Sequence, residues 1–198
     1  MKKKTIALIV CLTLIIGCAI GGTIAWLTDT SGPVTNTFTA GDVDIDLTET
    51  FNTDSNNDGT NDRWTAKMIP GTSYAKDPVV TVKANSEDCW LFVKFEEKND
   101  AAIYLNYTST LTAGNGWTQG DGTIIPANVW YRVVTASNSD QNWNLLDGNT
   151  VQVDGTAVTK ENMNAAAAAE LVYTAYACQK DNVSTAEDAW TKLNTVTP

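Results

Sequence analysis

The 198 residues, 43% hydrophobic and 18% charged, suffice for one well-buried domain and are too few for two ordinary domains with a linker. The chain has no histidine, which excludes a histidine-ligated zinc site, a Ser/His/Asp unit and any imidazole base; carboxylates, Lys, Tyr or Cys remain for catalysis. Thirteen basic against 23 acidic residues give a net charge of -10, which repels phosphate backbones and anionic lipid and argues against nucleic acid as a partner.

Lys2, Lys3 and Lys4 precede an apolar stretch from Thr5 to Leu27 that stops at Asp29, the pattern of an export signal. Three fates of this segment stay open. Its length of about 20 apolar residues is enough for a retained anchor helix, although Gly17, Gly21 and Gly22 weaken it. Ile15, Ile16, Gly17 and Cys18 fit a lipoprotein box in which the Cys18 thiol is acylated. Thr23 and Ala25 supply the small residues of a cleavage site, which predicts cutting between Ala25 and Trp26. We adopt this third reading, in which a 25-residue leader leaves a product of 173 residues. Losing the three lysines leaves 10 basic and 23 acidic residues, a net charge of -13.

Asp42 to Thr48 alternates strictly, with Val43, Ile45 and Leu47 on one face and Asp42, Asp44, Asp46 and Thr48 on the other, and predicts a half-buried strand with a wet acidic face. Further strands are predicted at Val79 to Ala84, Trp90 to Glu97, Ile103 to Tyr107, Val129 to Thr135, Val151 to Val153 and Leu171 to Gln179. Asn- and Gly-rich stretches at 112–123 and 137–149 read as surface loops. Ala165 to Ala169 predicts a short helix, and Ser184, Thr185, Ala186 and Glu187 form a capping box ahead of an amphipathic one with Ala189, Trp190 and Leu193. The tail from Asn194 is expected to fray. Short strands with turn-rich connections predict an all-β antiparallel sandwich with one or two short helices, preceded by the signal helix.

Asp54, Asn56, Asp58, Thr60 and Asp62 fall at positions one, three, five, seven and nine of a calcium loop of the EF-hand kind, with Gly59 at the sharp turn. Position twelve is Thr65 instead of a bidentate Glu, so the same segment also reads as a hydrated hairpin tip. Calcium is the only cofactor the sequence suggests. Cys89 and Cys178, the cysteines of the product, either pair outside the cytoplasm, stabilising the fold by about 4 to 5 kcal/mol, or sit as small buried hydrophobes in adjacent strands. Seven tryptophans allow an exposed row that stacks on sugar rings, against the commoner fate of core packing. Glu96 and Glu97, adjacent on one strand, point to opposite faces and make a poor catalytic pair.

Gly22, Thr23, Ile24, Ala25, Trp26, Leu27, Thr28 and Asp29, then Asn36 to Leu47 with Phe38, Gly41, Val43 and Ile45, resemble the TasA and camelysin family of exported Gram-positive proteins. Met68, Ile69, Pro70 and Gly71 are similar to that family's Leu-x-Pro-Gly, and the likeness extends to Trp90 to Glu96. Tyr173 to Ala177 with Ala186 to Trp190 looks like the close of clostridial relatives. The resemblance implies a jelly-roll-like sandwich, cleavage after Ala25 by a signal peptidase of the SipW type, and fibres in the biofilm matrix formed with copies of itself or related matrix proteins. It also implies that the freed N-terminal segment is donated as a strand to the next subunit, which satisfies an open sheet edge with ladder bonds. Trp26, Leu27, Val34 and Phe38 are the candidate donor anchors, and Gly32 and Pro33 interrupt the strand. Camelysins are described as proteases, an activity not carried over to a chain without the histidines of a conventional zinc protease.

The chain is therefore read as leader 1–25, donor segment 26–38, sandwich 39–194 and tail 195–198, a secreted structural protein of the cell surface or matrix and not an enzyme. The alternative is a monomeric module for adhesion or carbohydrate, held at the surface by Cys18 or by an uncleaved anchor.

Overall fold

The structure, a computed structural model, describes residues 42–50 and 66–195, all within the unit that spans residues 40–198. Its strands are β1 (Ile45–Thr48), β2 (Ser73–Ala75), β3 (Val79–Val82), β4 (Cys89–Lys98), β5 (Leu105–Asn106), β6 (Thr118–Gln119), β7 (Val129–Val134), β8 (Gln141–Asn144), β9 (Thr150–Val153) and β10 (Glu170–Gln179). Helical turns α1 (Ala101–Tyr104) and α2 (Met163–Ala166) and one longer helix, α3 (Ala186–Thr195), complete it. The strands form three sheets, ordered β1-β3-β8, β10-β4-β7-β6 and β2-β9-β5, and every pairing among the described residues is antiparallel. The expected all-β class is what the chain adopts.

β4 organises the packing because both faces of its first half are covered, which is why residues 89–93 read as an unbroken apolar run. Cys89, Leu91 and Val93 point toward the β1-β3-β8 sheet and meet Val80 and Val82 of β3, closing a core between two facing sheets. Phe92 points the other way and packs with Val129, Ala189 and Trp190, so α3 covers the outer face of the four-stranded sheet. The Trp190 ring lies 5.2 Å from Phe92 and 5.5 Å from Tyr176. A smaller cluster of Tyr104, Val153, Val158 and Ala166 supports the third sheet.

Several elements differ from the sequence expectation. Ile103 to Tyr107 is not a strand: Asn99 and Asp100 both take positive φ (53° and 59°), ending β4 in a sharp reversal that starts α1, with Ala101 and Tyr104 buried. Only Leu105–Asn106 pairs, as β5. β2, β6 and β8 went unpredicted, the last two inside stretches read as loops. β8 carries Gln, Asn, Trp and Asn, a poor strand former by propensity, yet it pairs all of β3, and its Asn142 Oδ1 accepts the buried Thr81 hydroxyl at 2.7 Å. α3 is capped one residue later than the capping box implied, by Thr185 Oγ1 accepting from the Asp188 amide at 3.1 Å. Asn194 does not fray, because its side-chain amide donates to the Trp190 carbonyl at 2.9 Å and the helix runs on to Thr195.

Candidate functional site

The four-stranded sheet ends in a strand that is unusual for an edge. β10 pairs with β4 through all ten of its residues, from Glu170 opposite Lys98 to Gln179 opposite Cys89, and no described strand pairs with its other side. Both of its faces are packed: Tyr173 and Ala175 join the inter-sheet core, while Tyr176 and Cys178 meet α3. Its sequence, Glu-Leu-Val-Tyr-Thr-Ala-Tyr-Ala-Cys-Gln, has a single charge, at its first residue, and no Lys, Pro or Gly. Edge strands are ordinarily blunted by such residues or by being short, since a row of unpaired N–H and C=O groups invites another strand. The other edges follow that rule, with β1 and β8 of four residues, β2 of three, and β5 and β6 of two. β1 lies beside β10 across the sandwich, and its Leu47 is 36% exposed.

A second feature gathers where the sheets meet. A polar cleft of about 640 Å³ is lined by Ser73, Glu97, Asn106, Tyr107, Asp147 and Gln152, among others. The Tyr107 hydroxyl donates to Glu97, and burial first, then that carboxylate, hold it protonated well above the ordinary tyrosine range. Nearby, Lys76 and Glu49 form an ion pair at 2.8 Å with both side chains largely buried, and Lys76 Nζ sits 5.9 Å from the Tyr173 ring centre. Burial also raises the Tyr173 hydroxyl strongly, with Tyr107 next in effect. Glu96 and Glu97 do point to opposite faces: Glu96 pairs with Lys94 at 3.0 Å while Glu97 lines the cleft. Two carboxylates, Glu97 and Asp147, thus share an open polar cleft, which makes it a hydrogen-bonding surface; among the described residues no group of three or more Cys, Asp or Glu is placed to hold a metal.

No protein-family model, no curated protein and no solved structure matches this chain.

The described tryptophans do not form an exposed row. Trp117 and Trp190 are buried, and Trp90, Trp130 and Trp143 are half-buried. Trp117 and Trp143 meet edge to face at 6.4 Å and flank the Arg132 guanidinium, at 5.3 and 4.6 Å from their ring centres. Burial lowers the Arg132 pKa, so this cation is part of the packing at the β7 end of the core.

The Cys89–Cys178 disulfide is not formed, and the register gives the reason. Cys89 stands opposite Gln179 and Cys178 opposite Trp90, so the two thiols are one residue out of phase and point to opposite faces of the β4–β10 pair. Burial, then the neighbouring Asp88 carboxylate, pushes the Cys89 thiol up to about 11. In the native protein at pH 8 we expect Cys89 to resist alkylation, and both thiols to alkylate after denaturation without reductant; a mass two hydrogens short would overturn this. Because the folded pKa is the higher one, Cys89 adds stability in full below about pH 9, and that contribution is lost as pH rises through about 11.

The remaining sequence-level candidates lie outside the described residues: Cys18, the Ala25–Trp26 cleavage point, the donor anchors Trp26, Leu27, Val34 and Phe38, and the loop with Asp54, Asn56, Asp58, Thr60 and Asp62. What sequence reasoning missed is the pair of features that strand order creates, the β10 edge, unpaired among the described residues, and the cleft around Tyr107 and Glu97.

Proposed function

We propose that this chain is an exported structural protein of the cell surface or extracellular matrix, cut between Ala25 and Trp26 and assembling with copies of itself by donating residues 26–38 as a strand. A jelly-roll winding of the sandwich belongs to the same proposal. One observation carries it: a ten-residue edge strand, packed on both faces, charged only at its first residue and without a partner strand on its outer side among the described residues, is a costly feature to leave open and a useful one to fill. Supporting it are the leader's basic-then-apolar pattern, the resemblance of Gly22 to Leu47 to fibre-forming exported proteins, and an acidic product soluble enough to be secreted before it assembles. The role requires no catalysis; the fold supplies a rigid unit and an edge.

Electron microscopy of the exported protein, with sequencing of its N-terminus, tests this directly. We expect a start at Trp26, fibres from the intact product, and only monomers when residues 26–38 are deleted. A chain that starts at an acylated Cys18 and stays monomeric at the surface would instead favour the anchored binding module.

A further inference from the structure

We propose that the polar cleft is a binding site for an uncharged, hydroxyl-rich ligand, a glycan segment of two linked sugar rings, held on a row of side chains that crosses the β2-β9-β5 sheet. The site lies wholly between residues 73 and 152 and stands apart from strand donation.

The row is built by register. Ser73 and Asn106 both stand opposite Gln152, one on each side of it, and residues directly opposite in antiparallel strands share a face. The three side chains therefore line up across the sheet over about 10 Å, two inter-strand spacings. Thr150, two residues before Gln152, belongs to the same face. The opposite face carries Tyr74, Leu105 and Val153, which pack with Tyr104, so this sheet is apolar on one side and polar on the other. Glu97 near the end of β4, Tyr107 just past β5 and Asp147 ahead of β9 complete the cleft of about 640 Å³. Tyr107 is fixed twice, by its hydroxyl on Glu97 and by its ring, which meets Phe95 edge to face at 5.7 Å.

The ligand class follows from which hydrogen-bonding groups are already used. Asn106 Nδ2 donates to Asp154 at 3.0 Å, Gln152 Nε2 to the Gly71 carbonyl at 3.3 Å, Thr150 Oγ1 to the Gly148 carbonyl at 2.8 Å, and the Tyr107 hydroxyl to Glu97. Those donors are committed to the protein. The amide oxygens of Asn106 and Gln152 and the Asp147 carboxylate accept nothing among the described residues, and the Ser73 and Thr108 hydroxyls have no partner there either. The cleft thus offers mainly acceptors, with two hydroxyls able to give or take. Sugar hydroxyls, each a donor and an acceptor, match that set. An anionic ligand would meet two carboxylates, and the described lining residues include no Lys or Arg to offset them. An apolar ligand would strand the acceptors. A small cation would satisfy the carboxylates and leave the neutral row unused. Because the described tryptophans are packed, sugar contact here is by hydrogen bonds instead of stacking on indole rings.

Ligand-observed NMR titration of the exported protein tests this, with tetrasaccharides of glucose and of N-acetylglucosamine as neutral probes and a galacturonate tetrasaccharide and spermidine as charged ones. We expect at least one neutral probe to bind with a Kd of about 1 mM or tighter, and the galacturonate not to bind. Asp147→Ala and Gln152→Ala are each expected to weaken binding about tenfold, and Ser73→Trp, which fills the row, to abolish it, all with the urea midpoint unchanged. If Ser73→Trp lowers that midpoint, Asp147→Ala, at an exposed position outside the strands, decides. Neither neutral probe binding at about 10 mM overturns the proposal. Binding that survives the variants puts the sugar elsewhere and overturns the site. Galacturonate bound as well as the neutral probes overturns the charge selection, and spermidine bound in their place identifies an amine site and overturns the glycan. None of these outcomes touches the fibre test, which deletion of residues 26–38 decides separately.

Discussion

Trp190→Ala is expected to lower the unfolding free energy by about 3–5 kcal/mol, the range for deleting a large aromatic from a packed site. Trp190 is 8% exposed and is the side chain through which α3 holds the outer face of the four-stranded sheet. Its ring meets Phe92, which is fully buried, and Tyr176 of β10, with centres 5.2 and 5.5 Å apart. The substitution empties the space between helix and sheet and frees α3, whose ten residues are too few to hold a helix without docking. Urea unfolding followed by tryptophan fluorescence and by far-ultraviolet circular dichroism measures the loss. A change below about 1 kcal/mol would mean that α3 is not docked on Phe92.

Lys76→Met is expected to cost about 3–5 kcal/mol as well, for a different reason. Lys76 Nζ lies 2.8 and 3.1 Å from the two Glu49 oxygens, and the side chains are only 9% and 12% exposed. Removing the cation leaves a largely buried carboxylate without this partner. The double variant Lys76→Met with Glu49→Leu separates the two contributions: replacing the whole pair with apolar groups should recover most of the loss. A double variant as unstable as the single one would show that packing, and not the stranded charge, dominates. The pair also ties residue 49, just beyond β1, to residue 76, just beyond β2, so its loss should loosen the seam beside β10.

Six strands were legible from alternation and apolar runs, at Asp42 to Thr48 and from Val79, Trp90, Val129, Val151 and Leu171, because each displays in the sequence the fixed period of a strand. β8 was not, since Gln141 to Asn144 form a strand only because β3 offers a ladder and Thr81 a hydrogen-bond partner. α1 was hidden for the opposite reason: Ile103 to Tyr107 has strand composition, but the two left-handed residues ahead of it dictate a turn. The cysteines show the limit most directly. Their presence in adjacent strands was among the sequence readings, while the single-residue offset that keeps the thiols on opposite faces exists only in the register. Tyr107 and Glu97, ten residues apart, gave no sequence signal of their contact.

The sequence by itself determined the absence of imidazole chemistry, the acidic balance, the basic-then-apolar start and the all-β class, because each depends on composition or on a pattern within a dozen residues. Only the tertiary structure decided which strand would stand at an edge. Alternation along β10 records that both of its faces are covered but carries no information about its neighbours in the plane of the sheet. Strand order comes from pairings between distant segments, here Glu170–Gln179 with Cys89–Lys98, and those pairings leave one side of a long strand, charged only at its first residue, without a partner strand among the described residues.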